Sequence, residues 1–266
     1  MSDVVIRATA VETRIQATMR TAAVRGRDVE RIGPFTATFN TAGANPFLSY
    51  AIPDEAAKPS QDDIEQLVAA YRLRDRVPRL EFLPSLAPAV EPALLAAGFA
   101  VDACAPLMIF SRRTAPPAPA GIELVEAMSD EDVRAAATAQ HEAYGEPDPP
   151  TEGWIAGIRA GIETGGLLVL ARDDRSGEPA GGGQCTPPHE GASELTSIGV
   201  RPAFRRRGVA AAMTAWLAEA MRVRSADLVF LMAAGERETR IYARVGFEQI
   251  GEVFYMSLTE QPKAGG

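Results

Sequence analysis

The residues best suited to do chemistry lie in one run, Glu194 to Ala212, ELTSIGVRPAFRRRGVAAA. Three guanidinium groups, Arg205, Arg206 and Arg207, stand directly before Gly208, and an alanine-rich stretch with strong helix preference follows. A helix starting there offers main-chain amides without partners and the positive end of its dipole, so the turn favours an anion. A pyrophosphate is the expected ligand. A surface helix capped by a solvated arginine cluster would explain the charge as well, but it does not ask for glycine and alanine at these two spacings. Upstream, Leu195, Ile198 and Val200 read as a strand that Pro202 stops, so a strand feeds a helix through a tight turn. Other reactive side chains are sparse. His141 and His189 each stand alone, and a surface or hydrogen-bonded structural role outweighs a catalytic one for both. Cys104 and Cys185 have no metal-ligand spacing, so no metal is expected and free thiols in a reducing compartment are.

Arg205, Gly208 and Ala210 resemble the coenzyme A loop of the GCN5-related N-acetyltransferases (GNAT): Arg or Gln, two variable residues, Gly, one variable residue, then Gly or Ala. The resemblance covers about Ile122 to Glu260, with the segment IYARVGF, Ile241 to Phe247, as its second marker. It implies acetyl-CoA as cosubstrate, held at the pyrophosphate by Arg205, Arg206, Arg207, Gly208, Val209 and Ala210. Along the pantetheine it implies backbone groups of Ile198, Gly199 and Val200, where neighbouring strands splay and the Val200 amide polarises the thioester carbonyl. Gly199 is expected to permit close approach there.

The resemblance further implies that Tyr242, four residues before the Gly-Phe pair, is the general acid protonating the leaving thiolate. On residue type alone Tyr242 reads equally as a helix tyrosine packed in a core. Gly235 and Glu238 stand where many relatives carry Asn and Ala, so contacts to the pantetheine arm are expected to differ. An acceptor ammonium, with a pKa near 10.4, must lose a proton before attack. Glu194 is the candidate base, with burial to raise its pKa, and a plain polar strand end is the other reading. The implied activity is acetyl transfer to a primary amine of a small molecule or peptide. A non-catalytic acyl-CoA-binding sensor is the alternative, and an arginine patch docking an acidic protein is a third.

The elements around these residues follow from hydrophobic period. Before the organising strand, Ile122 to Val125 reads as a strand, and Ser129 with Asp132 opens a helix to about Tyr144. Trp154, Ile155, Ile158 and Ile162 share a helix face, Leu167 to Ala171 is a strand, and Ala180 to Cys185 is a glycine-weakened one. In the first half, helices are predicted over Val4 to Val24, Asp62 to Arg76 and Pro88 to Ala97. Strands are predicted over Val29 to Phe39, Phe47 to Ile52, Leu80 to Leu83 and Phe99 to Phe110. The two halves also repeat. Ser49 falls on Ser197, 148 positions on, and the same offset brings Leu80 onto Leu228, Gly98 and Phe99 onto Gly246 and Phe247, and Met108 onto Met256. At that offset Glu55 to Ser60 replace the arginine and glycine turn and Leu94 replaces Tyr242, so the first half lacks both cradle and hydroxyl.

The expected architecture is therefore α/β, with two GNAT-like domains, each a mixed, mostly antiparallel twisted sheet flanked by helices. Residues 1–113 form the degenerate domain, a proline-rich linker covers 114–121, and 122–262 bind acetyl-CoA. The first domain is expected to pack on the second, complete a substrate cleft or mediate a homodimer. At 266 residues and a net charge of -8, the chain has room for two domains and no bulk attraction for nucleic acid or anionic lipid. No stretch approaches the roughly 20 apolar residues that span a bilayer, so a cytoplasmic enzyme without nucleic-acid or membrane partners is expected.

Overall fold

The computed structural model describes residues 2–40, 48–111, 118–146, 148–224 and 226–258. They form two compact units, Met1–Pro106 with Gly251–Gly266, and Leu107–Ile250.

The first unit opens with α1 (Ser2–Ala23) and continues through β1 (Asp28–Ile32), β2 (Phe35–Phe39), β3 (Ala51–Pro53), α2 (Gln61–Leu73), β4 (Arg79–Phe82) and α3 (Val90–Ala96) into β5 (Ala100–Phe110). Helix α1 buries Ile15, Met19 and Ala23, one per turn. The single strand expected from Val29 to Phe39 is a hairpin instead. Gly33 takes φ 49, a left-handed turn conformation, and Pro34 cannot donate to a ladder. A Cβ at Gly33 would also stand 2.1 Å from the Asp63 carboxylate. The core beneath gathers Phe35, Leu67, Tyr71, Leu80, Phe82 and Leu94.

The second unit holds β6 (Ile122–Glu126), α4 (Asp130–Tyr144), α5 (Glu152–Glu163), β7 (Leu167–Asp173), β8 (Pro179–Cys185), β9 (Ala192–Val200), α6 (Val209–Arg224), β10 (Leu228–Met232), α7 (Glu236–Val245) and the start of β11 (Phe247–Ser257). Strands β6, β7, β8 and β9 follow each other antiparallel, β10 joins β9 in parallel, and β5 joins β10 antiparallel. The run LLVLA of β7 is apolar throughout because both faces are covered. Leu168 and Leu170 meet Val133, Ile155 and Ile158 of α4 and α5, while Val169 and Ala171 join the core of Met213, Leu217 and Met221 on α6. Helix α4 is capped as its sequence predicts, Ser129 accepting from the Asp132 amide, and α5 is capped by Thr151, which accepts from the Trp154 amide. Trp154 departs from its predicted face: it is 39% exposed, whereas Ile155 and Ile158 are buried.

The final strand of each repeat takes its partner from the other repeat. In the second unit Leu107, Met108 and Ile109 of β5 pair with β10, and in the first unit Phe254 to Ser257 of β11 pair with β4. The prolines at 116 and 117 of the sequence-defined connector lie outside the described residues.

Candidate functional site

The parallel ladder between β9 and β10 holds only three pairs and ends at Phe230 opposite Glu194, although β9 runs six residues further. The two strands part there. The cause lies within β9. Its pairing with β8 shifts between Gly182 and Gln184, and Ser197 at φ 56 is the extra residue of a bulge. The bulge resets which face each side chain takes, so Leu195, Ile198 and Val200 all reach the α6-side core despite the odd step from 195 to 198. Arg201 donates its amide to the Ala180 carbonyl of β8 at 3.0 Å. By the alternation of an antiparallel ladder, the main-chain groups of Ile198 and Val200 then point away from β8, into the gap.

Helix α4 holds the bulge. The buried Gln140 donates from Nε2 to the Ser197 carbonyl at 2.8 Å and accepts from Gln184 at 3.4 Å. One turn on, the Tyr144 hydroxyl donates to the Ile198 carbonyl at 3.2 Å. Glycines allow this close seat. A Cβ at Gly182 would lie 2.8 Å from the Ala136 carbonyl oxygen, and one at Gly199 would lie 3.0 Å from the Ala143 Cβ. The close approach expected at Gly199 is thus to α4. The sequence carried two signals for this arrangement: the broken alternation in β9 and three consecutive glycines at 181 to 183.

Below the gap, a 3-10 turn over Pro202–Phe204 leads into the arginine segment and α6. Arg206 and Gly208 both take left-handed backbone, at φ 63 and φ 84, and a Cβ on Gly208 would meet nothing within 4 Å. The glycine therefore serves the turn conformation, and space lies open beside it. The amides of Val209 and Ala210 fall in the first turn of α6, where no intrahelical acceptor exists. The three arginines separate. Arg205 folds back, donating to the Val200 carbonyl at 3.1 Å and the Ala143 carbonyl at 2.8 Å. Arg207 lies over the Phe204 ring at 5.3 Å and 3.8 Å from Asp173. Arg206 alone keeps an uncommitted guanidinium among the described residues.

Glu194 sits where the strands part, its backbone fixed by Thr186, whose hydroxyl accepts from the Glu194 amide at 2.9 Å. Its part-buried carboxylate meets no cation among the described residues, and burial pushes its pKa up to about 7. Tyr242, on α7, is raised to about 12, first by burial, then by the charges of Tyr144 and Glu238, so it keeps its proton at neutral pH. Its ring stands 6.2 Å from that of Phe247. Tyr144, which sequence reasoning did not single out, is also raised by burial of its hydroxyl end. The histidines lie elsewhere. His141 faces the Asp148 carbonyl at 3.3 Å and the Trp154 ring edge, while His189 forms an isolated bridge to Ala192. Gly235 opens α7 without a side-chain cap.

In the first unit the matching helix start is closed. Ser60 caps α2, and the Asp63 carboxylate turns back to accept from the Ser60 amide and hydroxyl at 2.8 and 2.7 Å. A carboxylate fills the space an anion would need. Leu94, opposite Tyr242 in the repeat, is fully buried. Among the described residues both cysteines are free, no group of side chains could hold a metal ion, and no helix is long and apolar enough to cross a membrane.

Parted strands leading to an open helix start, in a sheet covered by α4 and α5 on one face and α6 and α7 on the other, define an acyltransferase fold of GNAT type. Residues 131–247 match the family model described as Acetyltransferase (GNAT) family. Among solved structures it is similar to a GCN5-related N-acetyltransferase from Kribbella flavida, with 23% identity, TM-score 0.75 and 96% of each chain covered. A tandem GNAT protein from the clavulanic acid biosynthesis pathway shares the fold at 14% identity and TM-score 0.63, over 95% of this chain and 94% of its own. A GCN5-related N-acetyltransferase from Sphaerobacter thermophilus matches at 18% identity and TM-score 0.64, over 86% of this chain and 78% of its own. No curated protein matches the sequence.

Proposed function

We propose that the chain is an N-acetyltransferase that transfers the acetyl group of acetyl-CoA to a primary amine of a small molecule or peptide. The observation that carries this reading is the β9–β10 gap running into an uncapped, glycine-turned helix start, with Glu194 at the point of parting. The pyrophosphate would lie on the amides of Gly208, Val209 and Ala210 with Arg206 beside it, and the pantetheine would run along Ile198, Gly199 and Val200. Arg205 and Tyr144 now hold the carbonyls of Val200 and Ile198, so pantetheine amides that bind there displace them. Arg207 acts at a distance, through charge, from its place beside Asp173.

In the reaction Glu194, near half-ionised at neutral pH, takes a proton from the acceptor ammonium. The amine nitrogen attacks the thioester carbonyl carbon, a C–N bond forms and the C–S bond breaks. The departing sulfur takes the Tyr242 proton, the nitrogen gives up its remaining extra proton to the tyrosinate through solvent, and Glu194 releases its proton to bulk water. In this reading residues 122–262 supply the acetyl-CoA site and residues 1–113 a partner domain whose own site is lost. Tyr242→Phe is expected to lose most thiol release from acetyl-CoA while binding it as the parent does. Normal turnover by that variant would remove the assignment.

A second reading, a non-catalytic acyl-CoA sensor, is favoured by one observation, the glycine at position 235 that opens α7 with no side chain to reach a ligand. Tight acetyl-CoA binding by calorimetry with no turnover across a broad amine panel would select it.

A further inference from the structure

Among the described residues the aromatic side chains are buried or half-buried with two exceptions. Among the described residues only Tyr144, 60% exposed, and Trp154, 39% exposed, present large ring surfaces to solvent. Both belong to the same edge of the second unit. Trp154 lies in the first turn of α5, and His141 stacks its ring edge-to-face against it at 5.8 Å. Tyr144 is three residues on from His141, on the same face of α4, with its hydroxyl on the Ile198 carbonyl. The three rings thus make a row that ends at the gap between β9 and β10. Helix packing does not demand this exposure, because Ile155 and Ile158 already supply the buried face of α5.

Charge along this edge is uneven. Arg134 holds Glu152 through two hydrogen bonds, and Arg201 holds Glu142, whereas Glu194, where β9 and β10 part, meets no cation among the described residues. A flexible polyamine would need a carboxylate for each ammonium along its length, and two of those beside the row, Glu152 and Glu142, are already held by arginines. A flat ring needs only the row, and its single ammonium needs only Glu194.

We propose that the acceptor is an arylalkylamine, its ring laid along Trp154 and Tyr144 and its primary amine delivered to Glu194. This rests on the N-acetyltransferase reading for the reaction, and on the ring row alone for the ligand.

The test uses the full chain with 2-phenylethylamine, n-hexylamine and spermidine, in a thiol-release assay with acetyl-CoA and in calorimetry without turnover. We expect kcat/KM for 2-phenylethylamine about tenfold above that for n-hexylamine, the size of one aromatic contact. Trp154→Ala should remove that advantage, and Trp154→Phe should restore it. Equal or better use of spermidine or n-hexylamine, or an advantage that survives Trp154→Ala, overturns the inference. Binding of 2-phenylethylamine that Trp154→Ala weakens, without thiol release from any amine, upholds the ring site and removes the N-acetyltransferase reading. Absence of both binding and release for 2-phenylethylamine overturns the ring site.

Discussion

Glu194→Gln separates catalysis from stability and tests the assignment of the base from two directions. In the folded chain burial raises the Glu194 carboxyl from 4.5 to about 7. The difference, 7 minus 4.5, is about 2.5 units, and at 1.36 kcal/mol per unit it sets a ceiling of about 3 kcal/mol. The sign follows from which state keeps the proton. Below pH 4.5 the carboxyl is protonated both folded and unfolded, and it costs nothing. Between 4.5 and 7 the unfolded chain releases the proton while the folded chain holds it, so stability falls as pH rises. Above 7 the folded chain carries a buried carboxylate and the full penalty.

Glutamine cannot ionise, so the variant escapes the penalty, and every other titrating group cancels in the comparison. Urea unfolding at about pH 4 should give equal stabilities, and at about pH 8 the variant should be more stable, by at most about 3 kcal/mol. The same substitution should cost about a hundredfold or more in thiol release and flatten the rise of kcat/KM near neutral pH. Parallel stability curves for the two proteins at both pH values would refute the buried carboxylate. A variant that still turns over with an unaltered pH profile would refute the base.

Two further substitutions probe how the gap and the turn are built. Gly208→Ala places a Cβ in open space but at φ 84, so it should lose about 1–2 kcal/mol through backbone strain alone and bind acetyl-CoA more weakly, as thermal unfolding and calorimetry would report. Gln140→Leu leaves the Ser197 carbonyl without its donor, which should cost about 1–3 kcal/mol, and it should raise the KM for acetyl-CoA more than that for the amine. Equal effects on both constants would mean that the bulge does not shape the cofactor side.

How much of this was legible in the sequence depends on the range over which each feature is encoded. Turn and cap chemistry is local: Gly208 and Ser129 declare the start of a helix within four residues, and each appears where the sequence puts it. The same local view joined β1 and β2 into one strand, because the apolar run across Gly33 hid the turn that Gly33 and Pro34 make. The bulge at Ser197 was written in the spacing of Leu195, Ile198 and Val200, but its meaning needs β8 beside it. Gln140 and Tyr144 were silent for a related reason. Each lies more than fifty residues from the carbonyl it binds, and neither residue type alone distinguishes a clamp from a helix surface.

Strand partners are the least local feature of all. The repeat at an offset of 148 located Met108 and Met256 as equivalents, yet no periodicity says that β5 should complete the sheet beside β10 and β11 the sheet beside β4. Pairing of this kind is decided by which unsatisfied strand edge the chain meets, and in a duplicated fold either edge offers the same hydrogen bonds. The exchange has a functional corollary. Phe247, which packs beside Tyr242, and Met256, in the core of the first unit, lie on the single strand β11, so the first repeat and the second cannot be cut apart at the proline-rich connector without removing a strand from each. Residues 1–113 are therefore tied to the second unit's sheet: their strand β5 pairs with β10, the partner of the strand that carries Glu194.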